Sequence, residues 1–156
     1  IKQGRSNVGG KLSHNGLMAC GNDGGDWACH QLEHELGGMF DVAHGAGLAA
    51  VWGSWARYVC DALPDRFEQF AVNVMGVENG DDKNAVITKG NRSMIGKLFR
   101  QIEMPNGSWA ELNIEVSEDQ MKELALKCSH FGKRTIGCVK KLNQEDIYRI
   151  YQKAAD

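Results

Sequence analysis

What most constrains this chain is the rhythm of its helix starts and stops. Between them apolar residues recur at helical spacing, as Phe67, Phe70, Ala71 and Val74 do, and almost no stretch reads as strand. Pro64 opens that segment, a position where its missing N–H costs nothing. Upstream, Asp26 is placed to cap a helix through "WACHQLEHEL", which Gly37-Gly38 should stop. Asp41 then reads as the cap of the next helix, "VAHGAGLAAVWGSWARYVCDAL". Its first two turns hold Ala43, Gly45, Ala46, Gly47, Ala49 and Ala50, side chains small enough to admit a neighbour or a ligand. Each glycine there costs about 1 kcal/mol of helix propensity, so something should compensate.

The remaining segments follow the same logic. "LSHNGLMACG" reads as a helix ending at Gly21, and a weaker helix runs from Asp82 to Glu103 with interruptions at Gly90 and Gly96. "MPNGSWAELNIEV" is a connector. Ser117 and Gln120 form an S-x-x-Q capping box ahead of "EDQMKELALKCSH". Residues 132–142 are a loop, and Asn143 caps the last helix, "QEDIYRIYQKAA". No internal repeat, heptad or low-complexity tract is present. The reading is an all-α helical bundle, a single domain over residues 1–156.

Composition narrows the function. At 156 residues the chain is about one domain long and can bury a real core. A formal net charge of −2 gives no general attraction to nucleic acid or an anionic membrane. No apolar run reaches the roughly 18–20 residues of a membrane span, and the first residues, "IKQGRSNVGGKL", carry no secretory pattern. Five cysteines without a CxxC pair suit free thiols in a reducing cytoplasm. The chain begins at Ile1, which suggests a processed protein or part of a larger one.

Three of the five histidines, His30, His34 and His44, fall between two glycine-rich breaks. His30 and His34 are four apart and share one helix face. His44 lies just after a turn, and two antiparallel helices joined there can return it opposite His30. One reading of "HQLEH" is the H-x-x-E-H pattern of an inverted zinc peptidase, with Glu33 as general base. Another is a non-catalytic helical module whose histidines are structural. Cys29 turns about 100° away from His30 and reads as packing. Trp27, Trp52 and Trp55 suit a substrate channel, but at helical spacing the core is the commoner place. His14 and His130 have no sequence partners, and Lys133-Arg134 and Lys140-Lys141 read as a solvated loop.

The pattern W-x-x-H-x-x-x-H-E-L followed by D-x-x-H-G-x-G-L-A resembles the metal-binding segment of the iron-containing (group III) alcohol dehydrogenases. It is most similar to the butanol dehydrogenase branch, which includes broad aldehyde reductases. "RTIGCVKKLNQEDIYRIYQKA" resembles that branch's closing loop and last helix. The similarity runs from about Leu12 to the C-terminus and is weakest over residues 1–11 and 84–100.

The resemblance implies the C-terminal all-α domain of a dehydroquinate synthase-like enzyme, behind an N-terminal nucleotide-binding domain that this chain lacks. It implies that His30 and His44 bind a divalent metal, Fe²⁺ or Zn²⁺, and that His34 lies close to nicotinamide and substrate. An aspartate and a further histidine on an upstream helix would complete the metal site. "GNDGGD" is read as a loop, because no strand leads into it as a phosphate-binding turn requires. The expected activity of the full enzyme is NAD(P)(H)-dependent interconversion of primary alcohols and aldehydes in the cytoplasm, with a tendency to dimerise. The isolated chain is expected to be inactive.

Overall fold

The computed structural model describes residues 16–17, 20, 25–105 and 109–155. The expected helix over "LSHNGLMACG", most of "GNDGGD" and His14 lie outside the described residues. Among the described residues six α-helices carry the fold: α1 (Ala28–Phe40), α2 (His44–Val59), α3 (Pro64–Asn73), α4 (Lys83–Ser93), α5 (Glu118–Cys128) and α6 (Gln144–Ala155). Among the described residues the only β feature is an isolated antiparallel bridge, Ile136 to Leu142. The all-α expectation therefore holds.

Several helix starts follow their local sequence. The Ser117 hydroxyl accepts from the Gln120 N–H while the Gln120 side chain accepts from the Ser117 N–H, so the capping box is closed. Asn143 Oδ1 accepts from the Glu145 and Asp146 N–H groups at 2.9 and 3.0 Å. Asp82 accepts from the Ala85 N–H, and Pro64 occupies the first turn of α3.

Several expectations need correcting. Gly37-Gly38 does not stop α1, which continues to Phe40. Asp41 does not cap α2; it closes α1 in the left-handed region (φ 53°), its N–H bonded to the Gly37 carbonyl. An aspartate tolerates that conformation better than most side chains. Gly90 does not interrupt α4. A Cβ there would lie 2.3 Å from Ala71 Cβ, so the glycine exists to let α3 and α4 touch. Beyond Ser93 the helix widens into a π-helical stretch, Met94–Phe99, which contains Gly96.

The core lies where α1, α2, α5 and α6 meet. Leu32, Leu36, Val51, Val59, Leu124, Ile147 and Ile150 are fully buried in it. Each such side chain contributes about 1.5–3 kcal/mol of transfer free energy. Tyr151, also fully buried, donates its hydroxyl to the Leu32 carbonyl at 2.8 Å and ties α6 to α1. Trp109, on a short 3₁₀ turn (Trp109–Leu112), packs 5.7 Å from the Tyr151 ring. Trp52 sits against Phe70 and Phe99, and Trp55 against Phe67, so these two tryptophans serve packing.

The 132–142 loop is anchored to the start of α1. Asp26 Oδ2 accepts from the Cys138 and Val139 N–H groups at 2.8 and 2.7 Å, while its Oδ1 accepts from the Ala28 N–H. Trp27, not Asp26, occupies the N-cap position. The aspartate still serves α1 from one residue earlier and spends its second oxygen on the loop. The basic pairs are not merely solvated: Arg134 donates to the Cys128 carbonyl, and Lys140 Nζ lies 4.4 Å from the centroid of the Tyr58 ring.

Candidate metal centre

The site is built by the bend between α1 and α2. Residues 41–43 are all that separate the two helices. The left-handed Asp41 turns the chain back, and His44 becomes the first residue of α2. His30 and His34, four apart on α1, face the same way. The ring of His44 comes to 5.4 Å from His30 and 5.5 Å from His34, centroid to centroid, and His30 and His34 are 6.4 Å apart. The bend thus gathers all three imidazoles at one point.

The cluster is open on one side. His34 and His44 are exposed, and His30 is half-buried. Trp27 packs edge-on against His30 at 4.7 Å yet remains 54% exposed, so one wall of the opening is an uncovered indole. Of the three tryptophans weighed for a channel, only this one stands at the site. His130 lies elsewhere, exposed in the turn after α5 with φ 48°. Cys29 packs against the core, where burial and then the Asp26 charge push its thiol well above the ordinary cysteine range. Packing is therefore its role, as its helical phase implies.

Beneath the rings lies Glu33, a residue that sequence reasoning weighed only as a peptidase base. It is 2% exposed. Its Oε2 accepts a hydrogen bond from His44 Nδ1. A buried carboxylate needs such a partner, because desolvating it alone is costly. The peptidase pattern gains no support from this disposition, since its general base would have to face the solvent beside the ligands. The signal that could have found Glu33 was its spacing from two glycines, Gly37 and Gly47, which leave the room it occupies.

Two sets of donors compete for a cation here. Glu33, His34 and His44 each offer a ligand atom within 4.8 Å of the others, the one such group of three or more among the described residues. His30 and His44 form the pair expected from the sequence, with rings at 5.4 Å. In the first set the Glu33 oxygen and a His44 nitrogen are already spent on each other. In either set His44 keeps its second ring nitrogen, Nε2, since only Nδ1 meets Glu33. Imidazole with carboxylate or water suits Fe²⁺ and Zn²⁺, so the donor chemistry fits such an ion.

Comparison with known proteins identifies the family and the fold. Residues 13–155 match the model of the Fe-containing alcohol dehydrogenase family, C-terminal. NADH-dependent butanol dehydrogenase A of Clostridium acetobutylicum is 27% identical over 144 residues, which are 92% of this chain and 36% of that protein. The crystal structure of NADH-dependent butanol dehydrogenase A from Thermotoga maritima superposes with a TM-score of 0.80 at 31% identity, over 93% of this chain and 37% of that one. A 1,3-propanediol oxidoreductase structure gives a TM-score of 0.67 at 26% identity, covering 81% and 32% of the two chains. The chain thus spans little more than a third of the curated relative it matches.

Proposed function

Because this chain belongs to the Fe-containing alcohol dehydrogenase family, we propose that it supplies the metal-binding half of an enzyme interconverting primary alcohols and aldehydes with NAD(H). The observation that carries the reading is the convergence of His30 and His44 across the α1–α2 bend. These two residues would hold a divalent ion, Fe²⁺ or Zn²⁺. Two imidazoles are too few, so the remaining ligands, an aspartate and a histidine, come from an upstream helix. That helix and the nucleotide-binding domain face the open side where Trp27 and His34 stand exposed. When bound, the ion supplies Lewis acidity to an alcohol or aldehyde oxygen and so favours hydride transfer.

The chain's own residues do the rest. His34 projects from the cluster into solvent one helical turn beyond His30. There it positions the substrate oxygen beside the nicotinamide and carries a proton to or from it. Trp27 shields the His30 side from water. No helix among the described residues is long and apolar enough to cross a membrane. All five cysteines are unpaired, which supports the reducing cytoplasm as the compartment. A preference for NAD over NADP follows the NADH dependence of the butanol dehydrogenase relatives. A homodimer is the assembly we favour from the resemblance alone.

The experiment is a comparison of the full-length protein with His30→Ala, His34→Ala and His44→Ala, each measured for bound metal and for butanol oxidation with NAD⁺. His30→Ala and His44→Ala should each lose most of the metal affinity and the activity. His34→Ala should keep the metal and lose roughly 10²–10⁴-fold in rate, the range of a lost acid–base group. Uptake of Fe²⁺ or Zn²⁺ unchanged in His44→Ala would contradict the reading. So would a protein that binds neither ion, the behaviour of a non-catalytic module.

A further inference from the structure

Glu33 is placed with more care than a chance pairing needs. It sits 2% exposed on the inner face of α1, and two glycines make its room. A Cβ on Gly37, one turn along the same helix, would lie 2.9 Å from Glu33 Oε1. A Cβ on Gly47, across on α2, would lie 2.7 Å from its Cγ and 2.9 Å from Oε1. Real Cβ atoms do not approach that closely, so glycine at both places is what lets the carboxylate reach under His44. The propensity cost of Gly37 and Gly47 is thereby accounted for, whereas a Cβ on Gly38 or Gly45 would meet nothing within 4 Å.

The consequence for His44 is geometric. Its Nδ1 is hydrogen-bonded to Glu33 Oε2. A carboxylate only accepts, so Nδ1 carries the proton. In a neutral imidazole the lone pair then resides on Nε2. With Nδ1 held down by Glu33, the ring turns toward His30 and His34, 5.4 and 5.5 Å away.

We propose that Glu33 is a positioning residue: from its two-glycine cradle it fixes the ring angle and tautomer of His44, so that Nε2 is the nitrogen offered to the metal. Carboxylates behind metal-ligating histidines act this way generally, raising ligand basicity and pre-setting orientation. The inference rests on the proposed metal site and adds to it a residue that touches neither ion nor substrate. It also assigns Gly37 and Gly47 a purpose, keeping the carboxylate's space clear.

The test uses Glu33→Met in the full-length protein, a side chain of similar reach without an acceptor. Removing one partner of a buried pair lowers stability, so a thermal melt first verifies that the variant is folded at the assay temperature. Two readouts apply: Zn²⁺ affinity by competition with a chelator, and the His44 tautomer by ¹⁵N spectroscopy of metal-free protein. In the wild type His44 should be the Nδ1–H tautomer, and in Glu33→Met it should shift toward Nε2–H. Zn²⁺ affinity should fall by about 10–100-fold. In a His44→Ala background, Glu33→Met should cause no further loss.

A folded Glu33→Met protein with an unchanged His44 tautomer or undiminished affinity overturns this inference and leaves the metal site standing. A further loss in the His44→Ala background makes Glu33 a ligand, which also overturns it. A wild type that takes up no Zn²⁺ or Fe²⁺ overturns the metal site and this inference together.

Discussion

Gly47 on α2 faces the side chain of Glu33 on α1 so closely that a Cβ at position 47 would stand 2.7 Å from Glu33 Cγ. Both residues are buried, so neither can swing aside into solvent. Gly47→Ala should therefore destabilise the protein by about 1–3 kcal/mol, the usual cost of overpacking. In a Glu33→Ala background the same methyl group fills vacated space and should cost little. A double-mutant cycle from chemical denaturation measures the coupling; additive effects would show that the two residues do not share the site.

Gly90 and Ala71 form the corresponding close contact at the other end of the bundle. A Cβ on Gly90 would lie 2.3 Å from Ala71 Cβ and 2.8 Å from its Cα. Because backbone is involved, α3 and α4 must separate to admit it. Gly90→Ala should lower stability by about 1–3 kcal/mol, and adding Ala71→Gly should return part of the loss. Thermal melts of the three variants check this.

Tyr58 and Asp146 join α2 to α6 through a hydrogen bond of 2.6 Å from the hydroxyl to Oδ1. Burial works against the Asp146 charge, but the Tyr58 hydroxyl, the Asn143 N–H, Lys140 and Arg149 together hold its carboxyl below the usual range. Burial first, and then Asp146, push the Tyr58 hydroxyl above its usual range. A lowered carboxylate stabilises the fold above the ordinary carboxylate range and loses that contribution as pH falls through the folded value. A raised phenol stabilises below about pH 10 and loses its contribution as pH climbs through the folded value. Tyr58→Phe should cost about 1 kcal/mol near neutrality, reduced by solvent screening from a fully buried charged bond. The difference from wild type should narrow below about pH 4 and above about pH 10. Melting temperatures across pH test this.

Local signals in the sequence were enough for much of the fold. The Ser117–Gln120 box, the Asn143 cap and Pro64 act within one helical turn, so the sequence states them directly. The gathering of His30, His34 and His44 was equally legible, since four-residue spacing and a short bend determine it. Gly37 and Gly90 misled for a shared reason. Each was read as a helix breaker, yet each exists for a side chain distant in sequence or a turn away, Ala71 for Gly90 and Glu33 for Gly37. Glu33 was hidden likewise: nothing local distinguishes a glutamate bound to a histidine eleven residues on from one in water.

The most direct test of the central claim is an anomalous-scattering measurement at the iron edge on crystals of the full-length protein grown with Fe²⁺. The account predicts a single strong peak at bonding distance from one ring nitrogen each of His30 and His44, with the Glu33 carboxylate on the far side of the His44 ring. A peak bonded to Glu33 and His34 instead, or no peak near the three imidazoles, would contradict it.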